Sequence, residues 1–404
     1  MYKIQNNLIA ASLVAGILFL AIISLGLSLA ILPLYVNKIA GYSAFYVGLV
    51  IATESIATLF SRAFAGRYSD NHGPRKGMIL GLSLTGGAGL MCWLTFVFLI
   101  PSHMAYGVIL FSRIMMGCGE SLIFTCSGTW PIGLVGKAHA GKIMSWVGIA
   151  MFLGLAIGNF VGTWSYNHSG LNVSALTMTL LPLLGFIIVV LVKPVSVSPS
   201  INHVSLAYAV KCVWKAGAGF SLANIGYASI TGFLVLLFMQ NNWGEQAAVA
   251  ISLFGVGYVL SRLTLGWMAD SSGLGMTIFS LCVEATGLLL ISLSFTPWIA
   301  MLGSFLTGFG LSMVYPLLAL PAIKSMPDEN IGLALSTYES CFDIGILMSG
   351  LIGGSIVSLF GYPAIFIFAF CCCLLALYAA VLAYRHLDIT SPQTKADSSR
   401  SLTQ

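Results

Sequence analysis

The sequence predicts an all-α integral membrane protein of twelve transmembrane helices, arranged as two pseudo-symmetric six-helix bundles. Three observations predict it. Asp, Glu, Lys and Arg make up only 7% of 404 residues while 58% are hydrophobic, against about 25% charged residues in a soluble domain, so the chain cannot cover an aqueous surface. Apolar runs of 18 or more residues recur from end to end, each long enough to cross hydrocarbon. A polar signature in the first half also returns, with the same spacing, in the second. A water-soluble enzyme is excluded. So is a nucleic-acid partner, because the net charge of +5 comes from Lys and Arg concentrated in alternate loops, the pattern of a chain held in a bilayer with its basic loops inside.

Taken in order, apolar runs bounded by Gly, Pro or charge place the first bundle's helices at 9–36, 44–66, 77–100, 104–128, 142–166 and 174–192. The first follows a lone Lys3 and is longer than a secretory apolar region, so it reads as a retained helix. Gly66-Arg67-Tyr68-Ser69-Asp70-Asn71-His72-Gly73-Pro74-Arg75-Lys76 is expected to be a short cytoplasmic turn, enforced by Gly73-Pro74, with Arg75 and Lys76 opening the next helix against anionic headgroups. The bundle spans 1–192, and the polar-leaning stretch 193–212 is a cytoplasmic linker. The second bundle, 213–387, holds helices at 213–239, 247–268, 275–296, 298–320, 331–358 and 362–384, and the Ser/Thr-rich residues 388–404 read as a disordered cytoplasmic tail. Basic residues at Arg67, Lys137, Lys193, Lys324 and Arg385 fall in every second connection, which puts both termini in the cytoplasm and requires an even helix count.

Self-comparison supplies the division into halves. Ser61-Arg62-x-x-x-Gly66-x-x-x-Asp70-x-x-Gly73 recurs 200 residues later as Ser261-Arg262-x-x-x-Gly266-x-x-x-Asp270-x-x-Gly273. In a second register, 191 residues apart, Gly117, Gly119, Gly141 and Ser145 match Gly308, Gly310, Gly332 and Ser336. Parallel repeats of this kind put a substrate cavity between two bundles and expose it to each side by rocking. Asp70, at a helix end, suits a gate: a carboxylate there can meet the positive N-terminus of a helix from the other half, a contact present in only one state. The copy at Asp270 lacks the basic pair that follows Asp70, so the two gates should differ in strength.

On these residues the chain resembles the major facilitator superfamily, whose loop signature is G-x-x-x-D-[RK]-x-G-[RK]-[RK]. Asn71 and Pro74 depart from it. Arg113-x-x-x-Gly117-x-Gly119 resembles the superfamily's proton-coupling signature, and Gly154-x-x-x-Gly158-Asn159-x-x-Gly162-Thr163 resembles its antiporter signature, with Asn159 in place of Pro and Thr163 in place of the last Gly. The chain is similar in particular to the bacterial drug- and sugar-efflux-like branch of proton antiporters, proteins like the staphylopine exporters and arabinose-efflux permeases. The resemblance implies the major facilitator fold. It also implies a cavity lined from helices one, four, seven and ten with parts of their neighbours, for which the candidates are Glu54, Trp130, Trp146, Asn224, Tyr227, Tyr315, Tyr338 and Asp343.

Five carboxylates fall inside predicted spans: Glu54, Glu120, Glu284, Glu339 and Asp343, with Arg113 the principal intramembrane cation. Each ionised and unpaired charge at the membrane centre costs about 2.5–3.5 kcal/mol, so these groups must be protonated, paired or facing water. A buried carboxyl that takes a proton on one side and gives it up on the other is what proton coupling needs. Glu339 and Asp343 are i,i+4 neighbours, so ionising one opposes ionising the other. Asp343 is placed near the midplane. Arg113 faces Glu54 by depth, and Glu284 is read as structural or headgroup-near. The second register matches Arg113, Glu120, Glu339 and Asp343 to Ser304, Leu311, Gly148 and Phe152, so these charges break the repeat and are not shared requirements of the fold.

The expected function is secondary active transport, proton-coupled export of a small organic molecule by alternating access. Proton-coupled uptake and facilitated passage remain open on the same residues. Aromatics with a few carboxylates suit a cationic or amphipathic molecule; a drug-like compound, a sugar and a metallophore all stay in view. No Walker pattern is present, no cofactor or metal is called for, and the nine Cys and six His show neither metal-ligand spacing nor catalytic clustering. The expected partners are therefore a small-molecule substrate, protons and the lipid bilayer. The expected setting is a monomer in a bacterial inner membrane.

Overall fold

The computed structural model describes residues 2–42, 44–98, 101–195, 204–269 and 273–390. The helices are α1 (Tyr2–Leu34), extended by a π-helical turn Tyr35–Ile39, α2 (Ala44–His72), α3 (Pro74–Val97) and α4 (Ser102–Val135). A continuous run Ala140–Leu191 follows, which Gly170 (φ 81°, ψ 178°) divides into α5 and α6. Then come α7 (Leu206–Gln240), α8 (Ala247–Leu265), α9 (Gly273–Ser292), α10 (Pro297–Lys324), α11 (Ile331–Phe360) and α12 (Tyr362–Thr390). Among the described residues, 12 helices are long and apolar enough to cross a membrane, and there is no strand.

Local chemistry explains where the helices stop. Gly73 takes φ 89°, a conformation costly for any side chain, and Pro74 follows at the first position of α3, where its missing N–H is not needed. Helix α2 therefore runs to His72. This corrects the expected turn over 66–76: Gly66 and Asp70 lie on the last two turns of a helix, and the break comes only at Gly73. The linker is also shorter than expected. The Ser205 hydroxyl accepts the Tyr208 N–H at 3.2 Å and starts α7 at Leu206. Helix α12 extends to Thr390, past the expected start of the tail, and residues 391–404 lie outside the described residues.

The chain forms two compact units. The first comprises 1–139, 146–204 and 328–336; the second comprises 140–145, 205–327 and 337–404. In the first unit α4 packs against α1, α2 and α3. In the second, α10 packs against α7, α8 and α9, and 89% of its most apolar stretch is buried. Short hydroxyls make this possible: Ser304 and Ser312 of α10 donate to the carbonyls of Ala250 and Tyr258 on α8, at 2.7 and 2.6 Å. Helix α11 contributes its first turn to the first unit and its remainder to the second.

Candidate functional site: a helix-end latch and two intramembrane charge clusters

Asp70, the expected gate residue, stands at the end of α2. Oδ1 of Asp70 accepts the Gly332 N–H at 2.7 Å, and Oδ2 accepts the Leu333 N–H at 2.9 Å. These belong to the first turn of α11, where backbone donors have no partner within the helix and the helix dipole favours a negative charge. The approach needs Gly66, one turn earlier: a Cβ there would lie 2.6 Å from the Gly332 carbonyl oxygen and would collide with the Ser336 hydroxyl. Beside it, Lys137 pairs with Asp328 at 2.5 Å, a contact weakened by the 83% exposure of the Asp328 side chain. Arg75 is half-buried and Lys76 exposed at the start of α3.

The repeated signature does different work in the second half. Arg262, 3% exposed, donates through Nη1 to the carbonyls of Met144 (2.8 Å) and Ser145 (2.9 Å), through Nη2 to the Tyr258 hydroxyl (2.8 Å), and through Nε to the Ser312 hydroxyl (3.1 Å). Met144 and Ser145 lie early in α5, so here the contact is a cation on helix carbonyls, where Asp70 makes an anion on helix amides. A Cβ at Gly266 would meet Ser145 at ordinary contact distance, 3.5 Å. Asp270 lies outside the described residues.

The first intramembrane cluster lies between α2 and α4. Arg113 and Glu54, 1% and 5% exposed, form an ion pair, and Nη1 of Arg113 also donates to the Ser28 hydroxyl at 2.6 Å. The structure thus brings together the two charges expected to face one another. Glu120, one face along α4, is half-buried and accepts the Thr58 hydroxyl at 3.1 Å. It edges a small void walled by Ala21, Ile22, Leu25, Thr85, Met116 and Ile123.

The second cluster lies in the second unit and is aromatic. Phe220 stacks on Tyr338 (centroids 4.7 Å) and approaches Tyr315 (5.3 Å) and Phe342 (6.0 Å). Phe342 continues to Tyr227 (5.9 Å), Tyr227 to Phe254 (5.8 Å) and Phe254 to Tyr258 (6.4 Å). Arg262 closes the chain over Tyr258 and Tyr315, at 5.1 and 5.9 Å. Glu339, 1% exposed, meets the Tyr315 hydroxyl at 3.5 Å, while Asp343 one turn on is half-buried. The two carboxyls share a helix face but not an environment. Asn224 is committed locally: its amide donates to the Phe220 carbonyl at 2.7 Å.

Several expected site residues are placed elsewhere. Trp130 is fully buried and donates its indole N–H to the Lys193 carbonyl at 2.9 Å, which anchors the start of the linker. Trp146 is half-buried on α5. Gly154, Gly158 and Gly162 form the surface on which α5 meets α1: a Cβ on Gly158 would lie 2.9 Å from Gly26 Cα, and Cβ atoms on the other two would lie 3.1 Å from Ile22 and 3.0 Å from Ala30. That closeness is helix packing through small residues, and Asn159 turns its amide to the Leu155 carbonyl at 3.0 Å. Glu284, read from the sequence as structural or headgroup-near, is 0% exposed inside the second unit. Sequence reasoning missed Ser28, Thr58, Phe220, Phe254, Tyr258, Ser312 and Phe342. Only Tyr258 carried a signal, its i−4 spacing from Arg262. Among the described residues, no group of three His, Cys, Asp or Glu could hold a metal ion.

Comparison with known proteins gives one family. The Major Facilitator Superfamily model matches residues 14–217 and 216–403, both halves in turn. The uncharacterized MFS-type transporter YhhS of Escherichia coli (strain K12) is 34% identical over 355 residues, covering 87% of this chain and 86% of its own. An uncharacterized MFS-type transporter of Burkholderia mallei (strain SAVP1) is 33% identical over 360 residues, 88% and 87% of the two chains. Among solved structures, a bacterial homologue of the iron transporter ferroportin in an outward-facing state superposes with a TM-score of 0.79 at 12% identity, covering 93% of this chain and 99% of that one. The Escherichia coli fucose:proton symporter FucP does so with 0.77 at 14%, covering 93% and 99%. At such identities these structures speak for the fold alone. The duplicated family match and the relatives over most of the length identify this chain as a multi-pass membrane transporter, not an enzyme, belonging to the Major Facilitator Superfamily.

Proposed function

We propose that the chain exports a small, cationic or amphipathic organic compound in exchange for protons, by alternating access, as a monomer in a bacterial inner membrane with both termini cytoplasmic. The observation that carries this reading is the Asp70 carboxylate on the first-turn amides of α11. A charge on a helix end is a contact that one conformation makes and another breaks, so it biases an equilibrium without adding to a static fold. The same helix carries the protonatable groups. Leu333, Glu339 and Asp343 all lie on this one helix, so the latch and the protonatable groups share an element. The substrate class follows from the aromatic chain around Glu339. The guanidinium of Arg262 is held by Ser312, Tyr258, Met144 and Ser145, and a chain of aromatic rings beside a carboxyl is of the chemistry that receives an organic cation.

Accumulation of radiolabelled tetraphenylphosphonium in energised everted membrane vesicles tests this reading. Accumulation that requires this chain and that a protonophore abolishes supports export. Accumulation in right-side-out vesicles above the potential-driven level of vesicles lacking this chain, with none in everted vesicles, reverses the direction to uptake on the same carboxyls. Equal accumulation in vesicles with and without the chain removes organic cations as the substrate class.

A further inference from the structure

Glu284, on α9, plays no part in either charge cluster, yet it is an ionisable side chain in the middle of a 20-residue apolar helix and is 0% exposed. Its carboxyl oxygens have no hydrogen-bond partner other than the weakly donating Cys373 thiol of α12. The helices packed on α9 make room for it. Gly226 of α7 lacks the Cβ that would lie 2.8 Å from Oε1, and Gly310 of α10 lacks the Cβ that would lie 2.9 Å from Glu284 Cα. From α12 the titratable group that faces it is the Cys373 thiol, and that thiol already donates to the Leu281 carbonyl at 3.2 Å. The carboxyl therefore sits in a pocket of glycine, hydrocarbon and one thiol, a weak donor, where an ionised form is poorly stabilised.

Its position is informative. Gly226 immediately precedes Tyr227 on α7, and Gly310 lies five residues before Tyr315 on α10, so Glu284 packs against two of the four helices that carry the aromatic chain. Leu or Met would fill this space without the cost of burying two bare oxygens. A shift of α7 or α10 would admit water to the carboxyl and let it ionise.

We propose that Glu284 is a second proton-binding site of this protein, neutral and loaded in the conformation described, and emptied when α7 and α10 move away from α9. It goes beyond the Asp343 and Glu339 reading and does not depend on it, because it concerns a different carboxyl and is read without substrate.

Infrared difference spectroscopy on the full-length protein in lipid vesicles, wild type against Glu284→Gln, tests it across a pH series. The side chain of Gln has nearly the shape of a protonated Glu, so the variant keeps the packing. At pH 7 only about 0.2% of glutamates with the ordinary value of 4.3 keep their proton. The expected spectrum shows a protonated-carboxyl band at pH 7 that the variant lacks, an enrichment of several hundred-fold, which disappears at alkaline pH as about one proton per chain is released. An ionised carboxylate band at pH 7 overturns the proposal. So does a protonated band that persists unchanged to alkaline pH, which would make Glu284 a fixed neutral packing residue. Labelling of the wild-type chain by a hydrophobic carbodiimide, which attacks protonated carboxyls, reads the same state without a variant. Label mapped to Glu284 by peptide mass at pH 7 and lost at alkaline pH is expected, and label of equal extent at both contradicts the proposal.

Discussion

Asp70→Asn is the perturbation that bears most on the latch. The wild-type carboxylate takes two amide hydrogens of α11, at 2.7 and 2.9 Å. Hydrogen bonds to a charged group contribute about 1.5–3 kcal/mol each, and neutral ones about 0.5–1.5 kcal/mol. Asn keeps one acceptor oxygen, turns an NH2 toward the second amide, and loses the interaction of a charge with the helix dipole, itself about 0.3–1 kcal/mol. One charged bond is lost and the other becomes neutral. Allowing for partial solvent exposure, the latch weakens by about 2–4 kcal/mol, and at 1.4 kcal/mol per tenfold its latched-to-open ratio falls about 30- to 700-fold. Hydrogen–deuterium exchange of the peptide holding Gly332 and Leu333 reads that ratio directly, since the latch protects those two amides. Their exchange should accelerate by at least tenfold in Asp70→Asn, while amides in the middle of α10 stay protected. Exchange within threefold of wild type would refute the reasoning and reduce Asp70 to a bystander on the helix end.

Other outcomes follow from the same geometry. Glu54→Gln leaves the Arg113 guanidinium in a 1%-exposed site without its anion, so the thermal stability of the purified protein should drop by about 3–5 kcal/mol; the double variant Glu54→Gln, Arg113→Gln should recover part of that loss. Gly158→Ala forces a methyl into Gly26 and the Ile23 carbonyl of α1, whereas Gly16→Ala meets nothing within 4 Å. The melting temperature should fall clearly for the first and be unchanged or slightly raised for the second, because Ala favours a helix by about 0.5–1 kcal/mol over Gly. Arg262→Lys keeps the charge but cannot reach Ser312, Tyr258 and the two α5 carbonyls together; a loss of about 3–6 kcal/mol in thermal stability is expected, as two bonds to a charged donor disappear.

Composition and repetition made the architecture legible because a bilayer imposes them: a spanning segment must be apolar for about 20 residues, and a duplicated half repeats its polar exceptions. The Arg113–Glu54 pair was legible for the same reason, since two opposite charges at one depth in hydrocarbon have few alternatives to meeting. Helix ends were read less well. The polar string from Arg67 to His72 resembles a loop in composition, but its backbone has no cause to leave the helix until Gly73 supplies a positive φ and Pro74 follows. Burial of the polar and aromatic candidates was not legible at all. Trp130 and Tyr315 are both aromatic residues on apolar helices; only three-dimensional packing ties one to the Lys193 carbonyl and sets the other beside Glu339 and Arg262. Glu284 reads from the sequence as structural or headgroup-near, and its full burial is visible only in three dimensions, where Gly226 and Gly310 leave space for it on the neighbouring helices.

The central claim is that this transporter moves protons against an organic substrate through the carboxyls of α11. The most direct measurement is proton release from acid-loaded everted vesicles, followed with a pH-sensitive dye as organic cations, sugars and metal-chelating metabolites are added in turn. Collapse of the gradient by one of these compounds in wild-type vesicles, with no collapse in Asp343→Asn vesicles that hold the same amount of folded protein, is the predicted result. Full substrate-dependent proton release in Asp343→Asn would take Asp343 out of the mechanism, and transport of a compound with no proton movement at all would contradict the account.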